Sequence, residues 1–420
     1  MTHTLNKRTQ RCKERPTMKQ TTKTEQGKKR QKEEREKTNR QATLKARVQV
    51  LERTLYCRAG KTVAWAAGEV AHYVGLDLGD REIRYSIVDE HGEVLAEGTM
   101  ATTAKELGAY FTMLKRSRIA LEVGTHSAWV STVLKDLGHE VYVANPRKME
   151  LKKDRRKSDR IDAELLARLV RSDVRMLHPI RHRGLEARQE LVVLRARDAL
   201  VAVRTKLINS MRGLVKSVGG RLPNRYSEGF HKLEKKWLPE GIRGALQPML
   251  EEIGELTKRI RQYDRQVGEL ADEKHPDTML LRQVDGVGEL TSVAYVLTLE
   301  EPGRFDKSRE VGAYLGMVPR QYESGDSAPQ LRITKTGDQM LRRLLVGSAH
   351  YILGPFGKDC DLRRYGKRLA ARGGRNARKR AVIAVARKLA VLLHCLWRSG
   401  EEYEPLRQAR LQQESAAAIR

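Results

Sequence analysis

The stretch that decides the fold is His72–Val88, HYVGLDLGDREIRYSIV. Its first half is an apolar run interrupted by Asp77, and in its second half Ile83, Tyr85 and Ile87 alternate with Arg84 and Ser86, the period of a strand. A His91-Gly92 turn and EVLAEGTM complete a three-stranded meander. Beyond it the texture alternates: a helical stretch at Ala104–Ser117, the strand RIALEVG, a helix near Ser127–Leu137, the strand HEVYVANP and the helix SDRIDAELLARLVRS. Meander followed by alternating helix and strand predicts a mixed α/β layer.

Downstream the chain changes class. From about Leu185 to Lys274 it reads as helix, with Val203, Leu207, Met211, Leu214 and Val218 spaced by three and four. After a break at Gly219–Pro223, Met249, Ile253, Leu256, Ile260, Tyr263, Val267 and Leu270 form a regular coiled-coil seam. An intramolecular hairpin and a contact across a dimer both satisfy that pattern. Next comes RQVDGVGELTSVAYVL, in which Gly286 and Gly288 precede a helix, either a plain turn or a helix-hairpin-helix element that lets backbone N–H groups approach a phosphate. The expected organisation is a basic arm over 1–70, an α/β domain over 71–183, a helical insert over 184–275, a mostly helical C-terminal domain over 276–400 and a tail over 401–420.

Charge is the compositional anomaly. Of 420 residues, 82 are Lys or Arg and 53 Asp or Glu, a formal net charge of +29, while 40% are hydrophobic. That apolar content excludes a wholly disordered chain, and the charge favours a polyanionic partner. Residues 1–50 hold sixteen Lys/Arg against five Glu and read as a disordered basic arm. Residues 362–388 hold eleven Lys/Arg and no acid with apolar residues interleaved, a folded basic surface whose candidate nucleic-acid contacts are Arg363, Arg364, Lys367, Arg368, Arg375, Arg378, Lys379 and Arg380. Residues 71–150 reverse the trend, with nine basic and twelve acidic residues. No run is long and apolar enough for a membrane span, and the first residues carry no secretory h-region. Cys12, Cys57, Cys360 and Cys395 lack paired spacing, so they read as free thiols in a reducing compartment.

The acids stand at telling places. Asp77 interrupts the first strand, Glu122 ends a later core strand, and Asp159 and Asp162 lie three apart at a helix start, on one face. Helix capping accounts for Asp159 taken alone. Together the four suit two divalent cations, magnesium or manganese, that activate a nucleophile and stabilise a leaving oxygen in phosphoryl transfer. Arg155, Arg156, Lys157 and Arg160 flank the last pair, as a solvated charged run or as phosphate contacts.

GLDLG, LEVGTHSAW, VANPRK and KSDRIDAELLARL resemble the N-terminal domain of the insertion-sequence transposases with a DEDD tetrad, whose catalytic domain resembles the Holliday-junction resolvase RuvC. The resemblance implies an RNase H-like fold and a tetrad at Asp77, Glu122, Asp159 and Asp162. Gly79-Asp80 stands where many relatives carry Ser-Lys. REVGAYLGMVPRQYESGDSAPQLRITKTGDQMLRRLLVGSAH resembles the C-terminal domain of the same family and places a catalytic serine at Ser324 rather than Ser327. By itself, a serine among Gly, Ser and Pro is a turn former.

By resemblance the chain is a DNA recombinase that joins donor and target DNA through a composite site. The tetrad comes from one protomer and the serine from another, with a phosphoserine intermediate. The resemblance also implies a homo-oligomer, a dimer assembling to a tetramer through the coiled-coil insert, and an element-encoded structured guide RNA. The expected setting is the cytoplasm, nucleoid-associated, of a bacterium or archaeon. A hydrolytic metal-dependent nuclease with Ser324 structural is the alternative, and a non-catalytic nucleic-acid-binding protein a further one. An actin-like nucleotide fold lacks its second phosphate motif, and the KTG triplet at Lys335–Gly337 lacks its β-lactamase partners.

Overall fold

The computed structural model describes residues 70–146, 148–149, 159–323, 327, 329, 331–408 and 410–411. The arm expected over 1–70 lies outside them except for its last residue, as do Cys12, Cys57, Arg155, Arg156, Lys157 and Ser324. The chain divides into two units, Met1–His182 and Arg183–Arg420.

Strands β1 (His72–Leu78), β2 (Glu82–Val88) and β3 (Val94–Ala101) form the expected antiparallel meander. At the β2–β3 turn Asp89 Oδ1 accepts from the backbone N–H groups of His91 and Glu93, each at 2.9 Å, and Gly92 takes φ +89°, a conformation that glycine adopts without strain. Helix α1 (Ala104–Phe111) is capped by Thr103, whose hydroxyl accepts from Glu106 N. It stops short of the expected Ser117 because that residue opens β4 (Ser117–Glu122). Helix α2 (Ser127–Asp136), β5 (Glu140–Ala144) and α3 (Asp159–Ser172) follow. Strands β4 and β5 add in parallel, giving one mixed five-stranded sheet in the order β3-β2-β1-β4-β5.

The two faces of this sheet are covered separately. Val74, Leu76, Ile119 and Leu121 pack with Leu107, Tyr110 and Phe111 of α1 and with Val130 and Leu134 of α2. On the opposite face Ala120 and Ala144 pack with Leu166, Leu169 and Val170 of α3. Small residues on that face let α3 lie close to the sheet.

The described residues of the second unit are mainly helical, with an isolated bridge between Pro319 and Ile333. Helices α4 (Leu185–Ser217) and α5 (Arg243–Glu269) form an antiparallel hairpin, because Ile208, Met211 and Val215 near the end of α4 meet Leu246, Leu250 and Ile253 near the start of α5. Between them the expected helix gives way to short 3₁₀ turns, with Gly219 at φ +81° and Pro239 preventing continuation. The predicted α5 seam is buried at Ile253, Leu256, Ile260 and Val267. On α4 the buried stripe is Arg204, Ile208, Met211 and Val215, whereas Val203, Leu214 and Val218 are 47%, 48% and 52% exposed. The predicted set straddles the edge of the buried stripe: Met211 is buried and Leu207 packs against the core, while the other three face outward.

Helices α6 (Thr278–Arg282), α7 (Glu289–Leu299), α8 (Glu310–Tyr314), α9 (Gln339–Leu353), α10 (Asp361–Ala371) and α11 (Ala377–Ser399) complete the unit. Their core takes in Leu191 and Leu194 of α4 and Val267 of α5, and α7 is buried from Thr291 to Leu299. Two buried polar groups in this core are satisfied: Tyr295 donates to the Ala390 carbonyl at 2.6 Å, and the His394 ring lies 2.9 Å from both Ser308 Oγ and the Pro302 carbonyl. Among the described residues Cys360 and Cys395 are free, and no helix is long and apolar enough to cross a membrane.

Candidate active site

Two of the four predicted acids, Asp77 and Glu122, share one end and one face of the sheet. A Cβ on Gly75 would lie 1.9 Å from the Ala163 carbonyl oxygen and 2.5 Å from Ala167 N, so α3 crosses β1 in backbone contact. Asp77, two residues on, projects from the same face. Leu76 pairs with Leu121, so Asp77 and Glu122 occupy the next positions on neighbouring parallel strands, and Glu122 lies two residues beyond Ala120 on the α3 side. Helix α3 runs opposite to β1, since Arg171 at its far end donates to the Glu90 carbonyl at 3.0 Å beside the β2–β3 turn. Its first turn, with Asp159 and Asp162, therefore falls at the Asp77 end. There the positive pole of the helix favours carboxylates.

Asp77, Glu122 and Asp162 are half-buried, and Asp159 is described only as helical backbone, as is Arg160. Among the described residues, no three His, Cys, Asp or Glu side chains are grouped closely enough to hold a metal ion. Every predicted donor is a carboxylate oxygen, the ligand chemistry of hard divalent cations. Arg84 stands directly opposite Asp77 on β2.

Sequence reasoning missed a polar lock beside these acids. Trp129 Nε1 donates to His126 Nδ1 at 3.1 Å, with the rings perpendicular, and His126 Nε2 lies 3.4 Å from Asp80 Oδ1. The indole N–H makes Nδ1 the acceptor, so a neutral His126 carries its proton on Nε2, toward Asp80. This ties the loop after β1 to the loop after β4. The signal available was a tryptophan three residues after a histidine, one helical turn along α2.

In the second unit Val318–Arg320 pairs with Arg332–Thr334 as the two arms of a hairpin. Arg320 N donates to Arg332 O and Thr334 N to Val318 O, each at 2.9 Å, and Pro319 bridges Ile333. Ser324 lies outside the described residues, and Ser327 is exposed. The base of the hairpin is built with little freedom. Gly316 and Gly337 have φ +67° and +76°, and a Cβ on either would lie 2.2 Å from Thr336 O or 2.1 Å from Tyr314 O. Arg342 Nη1 donates to the carbonyls of Leu315 at 2.9 Å and Thr336 at 2.7 Å. Sequence reading passed over this arginine.

The predicted basic contacts separate. Arg363 directs its guanidinium at the carbonyls of Ile352 and Gly354, and Arg364 pairs with Asp359 at 2.7 Å. Lys367, Arg368, Arg375 and Arg378 are exposed, while Lys379 and Arg380 line a groove of about 1480 Å³. Gly286, at φ +85°, faces protein: a Cβ there would lie 2.9 Å from Tyr351 and 3.2 Å from the Ser348 carbonyl. Gly288, which caps α7, has nothing within 4 Å of its missing Cβ.

Asp77, Glu122 and the start of α3 meet at one end of a mixed sheet, on a chain that also carries a basic helical region, a combination that suits a nucleic-acid-processing protein. The family model for DEDD transposases of the IS110 type matches residues 74–219, and that for transposases of the IS116/IS110/IS902 family matches residues 278–355. The chain belongs to this insertion-sequence transposase family. The transposase for insertion sequence element IS1111A of Coxiella burnetii is 26% identical over 339 residues, covering 79% of this chain and 90% of that protein. The transposase for IS1328 of Yersinia enterocolitica is 26% identical over 281 residues, covering 66% and 82%. The pilin gene-inverting protein of Moraxella bovis is 26% identical over 149 residues, covering 34% and 45%. Membership makes DNA the substrate, implies cleavage and rejoining of its strands, and points to dependence on a divalent metal.

Proposed function

We propose that the chain cuts and rejoins donor and target DNA for an insertion sequence, using Asp77, Glu122, Asp159 and Asp162 with Ser324 as nucleophile. The observation that carries this reading is the backbone contact of Gly75 with Ala163, which sets the start of α3 against the Asp77 end of β1. The strand order supports an RNase H-like, RuvC-like domain over 71–183. A coiled-coil insert over 184–275 and a C-terminal transposase domain over 276–400 with a helix-hairpin-helix-like turn at Gly286 and Gly288 complete the proposed organisation.

The tetrad carboxylates would hold magnesium or manganese, which when bound polarises the scissile phosphate. The Ser324 Oγ–P bond forms as the bond from phosphorus to a deoxyribose oxygen breaks, and the serine proton ends on the leaving oxygen. Attack by another deoxyribose hydroxyl reverses these changes, so the phosphodiester is rebuilt without an external energy source. The printed name of the Moraxella relative, a gene inverter, supports this conservative rejoining. Arg155, Arg156, Lys157, Arg160 and the exposed cations of α10 and α11 would hold phosphates. The family resemblance supplies the remaining parts: a tetrad and a serine from different protomers, a dimer assembling to a tetramer, and a structured guide RNA.

The test is recombination between element-end and target DNA in the presence of the flanking non-coding RNA. Ser324→Ala is expected to abolish joining and Asp77→Asn to abolish strand cleavage. Normal recombination by Ser324→Ala overturns the serine chemistry, and unchanged cleavage by Asp77→Asn overturns the tetrad.

A further inference from the structure

We propose that the groove of the second unit holds an unpaired nucleic-acid strand, with bases on its apolar floor and phosphates on its basic walls. This deepens the transposase reading and rests on it for the choice of nucleic acid as ligand. The groove, about 1480 Å³, is bounded by the hairpin arms, α9, α10, α11 and the segment after α11. Its floor includes Leu331, Ile333, Leu362, Leu369, Ile383 and Leu392. Its walls carry Arg332, Arg372, Lys379, Arg380, Arg387 and Lys388.

The combination separates an unpaired strand from a duplex. A duplex turns its base faces inward and offers a protein mainly phosphates and groove edges, so it has no use for an apolar floor. An unpaired strand exposes base faces beside its phosphates, and apolar or aromatic surface flanked by cations complements both. Tyr365 and Lys388 show that pairing in miniature, with the ammonium 4.2 Å from the ring centroid. Of the three acids at the rim, Asp361, Glu402 and Glu404, two are engaged within the protein: Asp361 accepts from Gln408 N at 2.7 Å, and Glu404 pairs with Arg410 at 3.1 Å. The chain's own N-terminal arm is an unsuitable occupant, because residues 1–50 hold sixteen Lys/Arg against five Glu. The groove also borders both arms of the hairpin, at Pro319 on one side and at Arg332 and Ile333 on the other.

The test is photo-cross-linking of the full chain to an oligothymidylate of roughly 12 nucleotides in which 5-iododeoxyuridine replaces single thymidines. Cross-links are expected in the peptides spanning 361–396, Tyr365 among them. Unlabelled single strand should compete about tenfold more effectively than a duplex of the same length. The double variant Arg372→Glu, Arg387→Glu should weaken binding about tenfold and lower the salt slope by about two. Cross-links confined to other regions, or equal competition by duplex, overturn the proposal. So does bifunctional cross-linking that joins the groove to a second copy of the chain. The same map on Ser324→Ala keeps the two readings apart, since groove cross-links persist there whether or not the serine is the nucleophile.

Discussion

Gly75 and Ala163 are in backbone contact: a single methyl group on Gly75 would lie 1.9 Å from the Ala163 carbonyl oxygen. Neither partner can yield by rotating a side chain. Gly75→Ala should therefore lift α3 from β1, destabilise the first unit by about 3 kcal/mol and lower strand cleavage further than that loss of folded protein explains. Urea unfolding and cleavage rates normalised to folded chain check this, and parental stability and cleavage in the Gly75→Ala variant would contradict it.

Arg342 fixes the base of the hairpin through the carbonyls of Leu315 and Thr336. Arg342→Ala leaves those acceptors without their charged donor and should cost about 2–3 kcal/mol. Joining should fall more than DNA affinity, because the hairpin loses its anchor while the basic surface remains. Denaturation midpoints and filter binding, read beside joining rates, separate the two effects.

Burial pulls the His72 pKa down to about 4, with Lys115 and His139 adding repulsion. An unfolded chain takes up this proton near pH 6.5, whereas the folded chain refuses it until about pH 4. Stability should be full above about pH 6.5 and fall as pH drops toward 4, by about 3 kcal/mol from this group. In His72→Leu that part of the acid sensitivity should disappear, as urea titrations at several pH values would show.

Val203, Leu214 and Val218 form an apolar stripe on the outer face of α4, each about half exposed. In the proposed assembly this face is covered by another protomer. Leu214→Glu should leave the melting temperature unchanged and shift sedimentation toward the monomer. Unchanged sedimentation would remove α4 from the assembly.

The sheet was legible because its residues alternate as strands must, and the strand order follows from a meander succeeded by two crossovers. The placing of Asp77 beside Glu122 was legible for a related reason, since each acid ends an apolar strand of the same sheet; their role as a metal site rests on the family resemblance. The α4 seam misled because apolar residues at three- and four-residue spacing lie on two adjacent stripes, and only the packing of α5 chooses Ile208 and Val215 over Val203 and Leu214. Arg363 was not legible as an internal group, since its acceptors, the Ile352 and Gly354 carbonyls, become available only when α9 ends beside α10. The clamp of Arg342 and the bond from Trp129 to His126 likewise depend on where loops fold back, which residue spacing does not encode.

A serine that attacks DNA at a site completed by the carboxylate tetrad leaves DNA covalently attached to the protein. Incubation with element-end DNA and magnesium, followed by denaturation and mapping of the attachment by mass spectrometry, detects it. An adduct on Ser324 is expected, absent from Ser324→Ala and from Asp77→Asn. An adduct on another residue, or full recombination by Ser324→Ala, would contradict the serine mechanism.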